Sequence, residues 1–117
     1  FADFWRADSG MLAALYALAE LMDSNKPLSN LLKPYNRYFS SGEINSKVKD
    51  LAKSIKAVEE KYEGKYQLDH LDGLTVTADS WWFNLRPSNT EPLLRLNVEA
   101  NTEKEMAIIT DAVLALL

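Results

Sequence analysis

Residues 81–100 of the chain read WWFNLRPSNTEPLLRLNVEA. The runs from Trp81 to Arg86 and from Pro92 to Ala100 both alternate apolar and polar side chains, and a short stretch of turn-forming residues separates them. Two adjacent alternating runs are typical of an antiparallel hairpin with one buried face. We therefore expect Phe83 to face the core and Arg86 to lie on the opposite face, beside the loop.

The segments around this hairpin predict the rest of a domain. A third alternating run begins at Leu74, after a turn at Asp72-Gly73. Apolar residues recur at helical spacing before it, at Ile44, Val48, Leu51, Ile55, Val58 and Tyr62. Thr102-x-x-Glu105 has the pattern of a capping box that opens a last helix. From Gly42 onward the predicted order is helix, three strands, helix, which is an α+β fold with an antiparallel sheet packed by helices.

The first third of the chain predicts mostly helix. Asp8 or Ser9 can cap a helix that runs to about Met22, and Leu28 to Leu32 predicts one further turn. Tyr35 to Ser40 is aromatic and typical of a strand.

The turn signal Ser40-Ser41-Gly42 suggests a domain boundary. We assign residues 1–40 to the end of a preceding domain with its linker, and residues 41–117 to a C-terminal domain.

Bulk composition excludes several classes of protein. The 117 residues carry a net charge of −4, which argues against a nucleic-acid partner because phosphate-backbone binding needs a basic surface. Cysteine is absent, so neither disulfides nor thiolate metal sites are possible. No apolar run approaches the ~20 residues that cross a bilayer, so we expect no membrane partner and a cytoplasmic location.

The hairpin loop contains the side chains that are candidates for binding an anion. Arg86 offers a planar fork of donors that matches phosphate oxygens, Ser88 and Thr90 add hydroxyl donors, and Asn89 adds an amide. Asn89 also tolerates positive φ, which can turn consecutive backbone N–H groups toward one anion. The set has no obvious general base, so it predicts binding without catalysis and without a metal. Pro, Ser, Asn and Thr are also ordinary turn formers, and composition alone leaves that reading open.

The run from Trp82 to Leu96, WFNLRPSNTEPLLRL, closely resembles the phosphate-binding signature of the last domain of α-D-phosphohexomutases. The resemblance extends over nearly the whole chain. Gly42-Glu43-Ile44-Asn45 resembles the entry to that domain, and Phe4 to Met11 resembles the end of the preceding, third domain.

The resemblance implies a four-domain parent enzyme, a phosphomannomutase/phosphoglucomutase that interconverts hexose 1-phosphate and hexose 6-phosphate. It implies that Arg86, Ser88, Asn89 and Thr90 grip the phosphate that is not transferred, in a TATA-binding-protein-like sheet that does not bind DNA. For the parent it also implies a magnesium ion, a phosphoserine and an activator of the glucose 1,6-bisphosphate type. Because the loops that hold these groups and read the sugar are not in this sequence, we interpret the chain as a fragment that is inactive alone.

Two alternatives remain open. Phosphoglucosamine mutases more often carry glycine where this chain has Asn89, which favours the phosphomannomutase/phosphoglucomutase branch without deciding it. The second alternative is a non-catalytic module that binds a protein partner on its exposed sheet face.

Four more side chains are candidates for a functional role. His70, the one histidine, is interpreted as a surface residue although Asp69 and Asp72 lie nearby. Trp81 and Trp82 are expected to make core or interdomain contacts, with Trp82 the more exposed. Arg95 either reinforces the phosphate site or pairs with Glu91 or Glu99.

Overall fold

A computed structural model describes all residues, 1–117, and divides them into two compact units, Phe1–Asn36 and Arg37–Leu117. No helix in either unit has the length and apolar character that crossing a membrane requires.

The first unit contains two helices, α1 (Gly10–Ser24) and α2 (Leu28–Leu32), which confirms both predicted segments. The Ser9 side chain caps α1 by accepting a hydrogen bond from the Leu12 N–H at 3.2 Å. Asn25 ends α1 in the left-handed conformation, at φ 51°. Neither helix contains a buried residue.

The second unit contains an antiparallel sheet in the order β1-β6-β5-β4-β3, with β2 also paired to β6. The strands are β1 (Phe39–Ser40), β2 (Ile44–Ser46), β3 (Gln67–Asp69), β4 (Leu74–Thr77), β5 (Trp81–Pro87) and β6 (Leu94–Ala100). β1 and β2 lie along the same edge of β6, opposite its two ends.

Two helices, α3 (Leu51–Tyr62) and α4 (Glu103–Leu114), pack against this sheet. The Asp50 side chain caps α3 by accepting from the Lys53 N–H at 3.0 Å. Thr102 caps α4 by accepting from the Glu105 N–H at 3.2 Å, as predicted. The α+β class, with an antiparallel sheet packed by helices, is confirmed.

The core lies between the helices and one face of the sheet. Along β5 and β6 every second side chain is buried and the intervening ones are half-buried, so the predicted alternation is confirmed. Phe83 is fully buried at the centre, and its ring lies parallel to that of Trp81 at 6.1 Å. Tyr62 meets both rings from α3, and burial, together with the nearby Tyr66, raises the pKa of its hydroxyl.

Three details of the predicted element order are wrong. Residues 44–46 form β2 and not the start of a helix, because Ile44 pairs with Leu96 and the helix begins only after its Asp50 cap. The short strand β3 was not predicted, since the run Gln67-Leu68-Asp69 has one apolar residue and no visible period. Only Phe39 and Ser40 of the predicted strand 35–40 are extended in the sheet.

The start of the second unit differs from the boundary suggested by the sequence. Phe39 pairs with Ala100, and Ser40 pairs with Glu99, so residues before 41 contribute to the sheet. The division between the compact units falls between Asn36 and Arg37.

Candidate functional site

Arg86 lies near the end of β5, on the sheet face that α3 and α4 leave open. Its neighbours Leu85 and Pro87 bracket it, with Leu85 fully buried, and its own side chain is 35% exposed. The strand period thus places the guanidinium at the base of the hairpin loop, as the sequence predicts.

The loop at the tip of the hairpin is closed by backbone hydrogen bonds. The Ser88 N–H donates to the Leu93 carbonyl at 2.9 Å, and the Leu93 N–H donates to the Glu91 carbonyl at 2.8 Å. Ser88 is half-buried, whereas Asn89 and Thr90 are exposed at the tip.

Within the loop, Ser88 and Thr90 are held close together. Their hydroxyl oxygens lie 3.4 Å apart, and the Thr90 N–H donates to the Ser88 hydroxyl at 3.4 Å. Asn89 does not have positive φ, so the suggested route to an amide concavity through this residue is wrong. The structure therefore brings the four predicted side chains to one end of one hairpin, with Asn89 and Thr90 exposed and Ser88 half-buried.

A second arginine lies directly across the strand pair. Arg86 and Arg95 are register partners on β5 and β6. Like charges in this position repel each other, so an acidic partner is needed nearby. Glu43, just before β2, supplies it: its carboxylate oxygens lie 3.9 Å from Arg86 Nη2 and 3.7 Å from Arg95 Nε.

Arg95 therefore has a different partner from those expected. The predicted ion pair with Glu91 or Glu99 is wrong, because Arg95 pairs with Glu43, just before β2, and Glu99 accepts a hydrogen bond from the Trp82 indole at 3.2 Å. Arg95 Nε is buried and has no hydrogen-bond partner within 3.5 Å. Because it is buried, that nitrogen is not exposed to a ligand at the surface.

The Asp72-Gly73 turn touches Arg86 from the other side. Asp72 Oδ2 lies 3.6 Å from Arg86 Nη1. The Asn84 side-chain amide donates to the Asp72 carbonyl at 2.6 Å and so fixes the turn against β5. Gly73 has φ +73°, and a Cβ there would lie 2.6 Å from both the Leu85 carbonyl oxygen and Arg86 Cβ.

Glu43, Asp72 and Gly73 were not predicted as part of the site. The sequence predicts a turn at Asp72-Gly73 and a domain entry at Glu43, and it indicates no contact of either with Arg86. Their contact with Arg86 depends on the register of β2 and β4 against β6 and β5, which the local pattern does not reveal.

The remaining candidates lie outside this cluster. The His70 side chain is 59% exposed, with Nε2 3.4 Å from Glu59 Oε1, so its surface position is confirmed. Trp81 is buried at 8% exposure and Trp82 is half-buried, as expected. No group of three or more His, Cys, Asp or Glu side chains in the chain could hold a metal ion.

The four predicted side chains can bind an anion, since the Arg86 guanidinium, two hydroxyls and an amide can all donate hydrogen bonds. None of the four is a ready general base. The carboxylates that lie near Arg86, Glu43 and Asp72, pair with its guanidinium, and Glu91 is exposed in the loop.

The chain is similar to known proteins in sequence and in structure. A family model for the C-terminal domain of phosphoglucomutase/phosphomannomutase matches residues 43–116. A phosphomannomutase of Methanocaldococcus jannaschii is 46% identical over 99 residues, which are 85% of this chain and 22% of that protein. A phosphomannomutase of Escherichia coli is 39% identical over 120 residues, covering 100% of this chain and 26% of that protein.

A solved structure is similar as well. It is a phosphoglucomutase/phosphomannomutase family protein from Burkholderia thailandensis, with a TM-score of 0.60 and 27% identity, covering 77% of this chain and 19% of that one. The chain spans only 22% and 26% of the length of the two sequence relatives. The match over residues 43–116, which contains the whole hairpin and its loop, shows that the chain belongs to the phosphoglucomutase/phosphomannomutase family and carries its C-terminal domain.

Proposed function

We propose that Arg86, Ser88, Asn89 and Thr90 bind the phosphate group of a hexose phosphate, in an enzyme that interconverts hexose 1-phosphate and hexose 6-phosphate. The observation that carries the proposal is the position of Arg86, which is partly exposed at the base of a loop where Ser88, Asn89 and Thr90 can all donate hydrogen bonds. A guanidinium can meet two phosphate oxygens at once, and charged hydrogen bonds of this kind are the strong ones.

In this proposal the loop holds the phosphate that stays on the sugar. Arg86 supplies the charge, and Ser88 and Thr90 donate their hydroxyl protons to the remaining oxygens. The Asn89 amide extends the same set of donors. All four side chains donate hydrogen bonds to phosphate oxygens, and none of them contacts a sugar hydroxyl. We therefore expect mannose and glucose phosphates to bind this chain with equal affinity.

The phosphoryl transfer itself needs groups that these residues do not provide. The resemblance implies magnesium and a bisphosphate activator of the glucose 1,6-bisphosphate type for the whole enzyme. The chain has no group of three or more His, Cys, Asp or Glu side chains that could hold a metal ion, and we assign none of its residues to that role. We expect the 117-residue chain to stay at background in a coupled assay with mannose 1-phosphate and glucose 1,6-bisphosphate.

A titration followed by NMR tests the binding. Inorganic phosphate or glucose 1-phosphate added to the ¹⁵N-labelled chain should shift the amide signals of Ser88, Asn89 and Thr90. A single exposed cluster of charged hydrogen bonds predicts a Kd on the order of 1 mM or weaker.

Two variants sharpen this test. Arg86→Ala should abolish the shifts, and Arg86→Lys, which keeps the charge and loses the fork, should restore only part of the affinity. Absence of any shift at Ser88 to Thr90 would contradict phosphate binding and favour a module that docks a protein.

A further inference from the structure

In the structure a carboxylate lies within ion-pair distance of each terminal nitrogen of Arg86. Asp72 Oδ2 is 3.6 Å from Nη1, and Glu43 Oε2 is 3.9 Å from Nη2. A bidentate contact uses two neighbouring N–H groups, so it involves at least one of these nitrogens. An incoming phosphate therefore competes with a carboxylate of the chain.

The two carboxylates differ in how firmly they are held. The Glu43 side chain is 39% exposed and lies between two arginines, Arg86 and Arg95. The Asp72 side chain is 73% exposed, and its ion pair is with Arg86 alone. Because solvent-exposed ion pairs contribute little to stability, Asp72 is the cheaper of the two to displace.

We propose that Asp72 is a competing carboxylate: it occupies Arg86 Nη1 while the loop is empty and moves into solvent when phosphate binds. Glu43 stays in place and keeps the two arginines together. This inference rests on the proposed function, since it assigns a regulatory residue to the same phosphate site.

The turn that carries Asp72 allows this movement. The turn is anchored through the Asp72 backbone carbonyl, which accepts from the Asn84 amide at 2.6 Å, and through Gly73 at φ +73°. The Asp72 carboxylate takes no part in either contact. The side chain can rotate away from Arg86 without disturbing β4 or β5.

Neutralising Asp72 should therefore strengthen phosphate binding. Asp72→Asn leaves an Asn-Gly turn, which is as favourable as Asp-Gly, so the fold should be kept. We expect the Kd for inorganic phosphate to fall roughly 1.5- to 5-fold at low ionic strength, which is the range that one exposed ion pair supplies. Added salt should reduce the gain, because it screens exposed charges.

The experiment is an NMR titration of the 117-residue chain with inorganic phosphate, at fixed pH and low salt. It compares the natural chain with Asp72→Asn, with Asp72→Ser as a second neutral variant, and with Asp111→Asn as a control. Asp111→Asn changes the net charge by the same amount as Asp72→Asn. Asp111 is exposed on α4, which packs on the other face of the sheet, so this variant does not touch the Arg86 site. The Arg86 Nε–H signal reports in parallel whether the guanidinium changes its environment.

The expected result is tighter binding in both Asp72 variants, no change in Asp111→Asn, and a shifted Arg86 signal before phosphate is added. Weaker binding in the Asp72 variants would overturn the inference, since Asp72 would then orient Arg86 for phosphate. Equal Kd values in all four chains would overturn it too. If the natural chain itself shows no phosphate-dependent shift, the proposed function fails, which is a separate result.

Discussion

Gly73 determines how closely the turn before β4 approaches Arg86. Its φ of +73° is one that side-chain-bearing residues rarely adopt, and a Cβ at this position would lie 2.6 Å from the Leu85 carbonyl oxygen and 2.8 Å from Arg86 Cα. Both obstacles are backbone atoms, so a larger residue cannot be accommodated by turning a side chain away. The close packing of this turn against Arg86, in the proposed phosphate site, therefore requires glycine at position 73.

Gly73→Ala should destabilise the chain and disturb Arg86. Gly64→Ala is the matched control, because Gly64 has a similar φ of +71° but nothing within 4 Å of its Cβ position. The control should lower the free energy of unfolding by roughly 1 kcal/mol, the usual cost of a left-handed residue. Gly73→Ala should cost clearly more and weaken phosphate binding; equal costs in urea denaturation would show that the close approach to Arg86 is unimportant.

At the residue scale, the sequence predicts the residues of the proposed phosphate site better than it predicts the residues that surround Arg86. Arg86, Ser88 and Thr90 are adjacent in one loop, and their chemistry is readable from side-chain type. Glu43 and Asp72 lie just before β2 and β4 and contact Arg86 from there, and their placement follows from strand pairings such as Asn45 with Arg95. No local pattern contains that information.

At the scale of the elements, the start of α3 shows that strand pairing can override a helical spacing of apolar residues. The apolar spacing continues back from Leu51 to Val48 and Ile44, which is why a longer helix is predicted. Hydrogen bonding of residues 44–46 to β6 completes the sheet edge and brings Glu43 to the arginines. The Asp50 cap then fixes where the helix begins.

Asp50→Ala should lower the free energy of unfolding by about 1 kcal/mol, because the Lys53 N–H loses its acceptor. Asp50→Asn is the control, since asparagine caps helices equally well and removes the same charge. Thermal or urea unfolding of the two variants measures the difference. If both lose stability equally, the charge of Asp50 matters and its cap does not.

The whole chain consists of two units with unequal cores. All residues of the hydrophobic core and those packed against it lie from Ile44 onward, and neither helix of Phe1–Asn36 buries a residue. The family match likewise covers residues 43–116. Strand β1 lies before the predicted domain start at 41, yet it pairs with β6.

Shortened chains test where the C-terminal domain begins. A chain that starts at Arg37 should unfold at the same urea concentration as the complete chain, because it keeps the core and β1. A chain that starts at Ser41 should lose roughly 1–2 kcal/mol, since the pairing of Phe39 and Ser40 with β6 is gone. Equal stability of the two shortened chains would support a boundary at 40/41 and assign β1 to the linker.

Whether Arg86 binds phosphate can be measured in the full-length enzyme that we propose carries this chain. There kcat/KM is measured in both directions, from hexose 1-phosphate and from hexose 6-phosphate, for Arg86→Ala and for Arg95→Ala. If the same loop holds either phosphate in turn, Arg86→Ala should lower both values by similar factors, roughly 10- to 150-fold, for a loss of ~1.5–3 kcal/mol. The melting temperature of Arg86→Ala should change little, because its side chain lies on the open sheet face, whereas Arg95→Ala should lower it because it removes a side chain whose Nε is buried beside Glu43. Full activity of Arg86→Ala, or a loss that only follows its unfolding, would contradict the account.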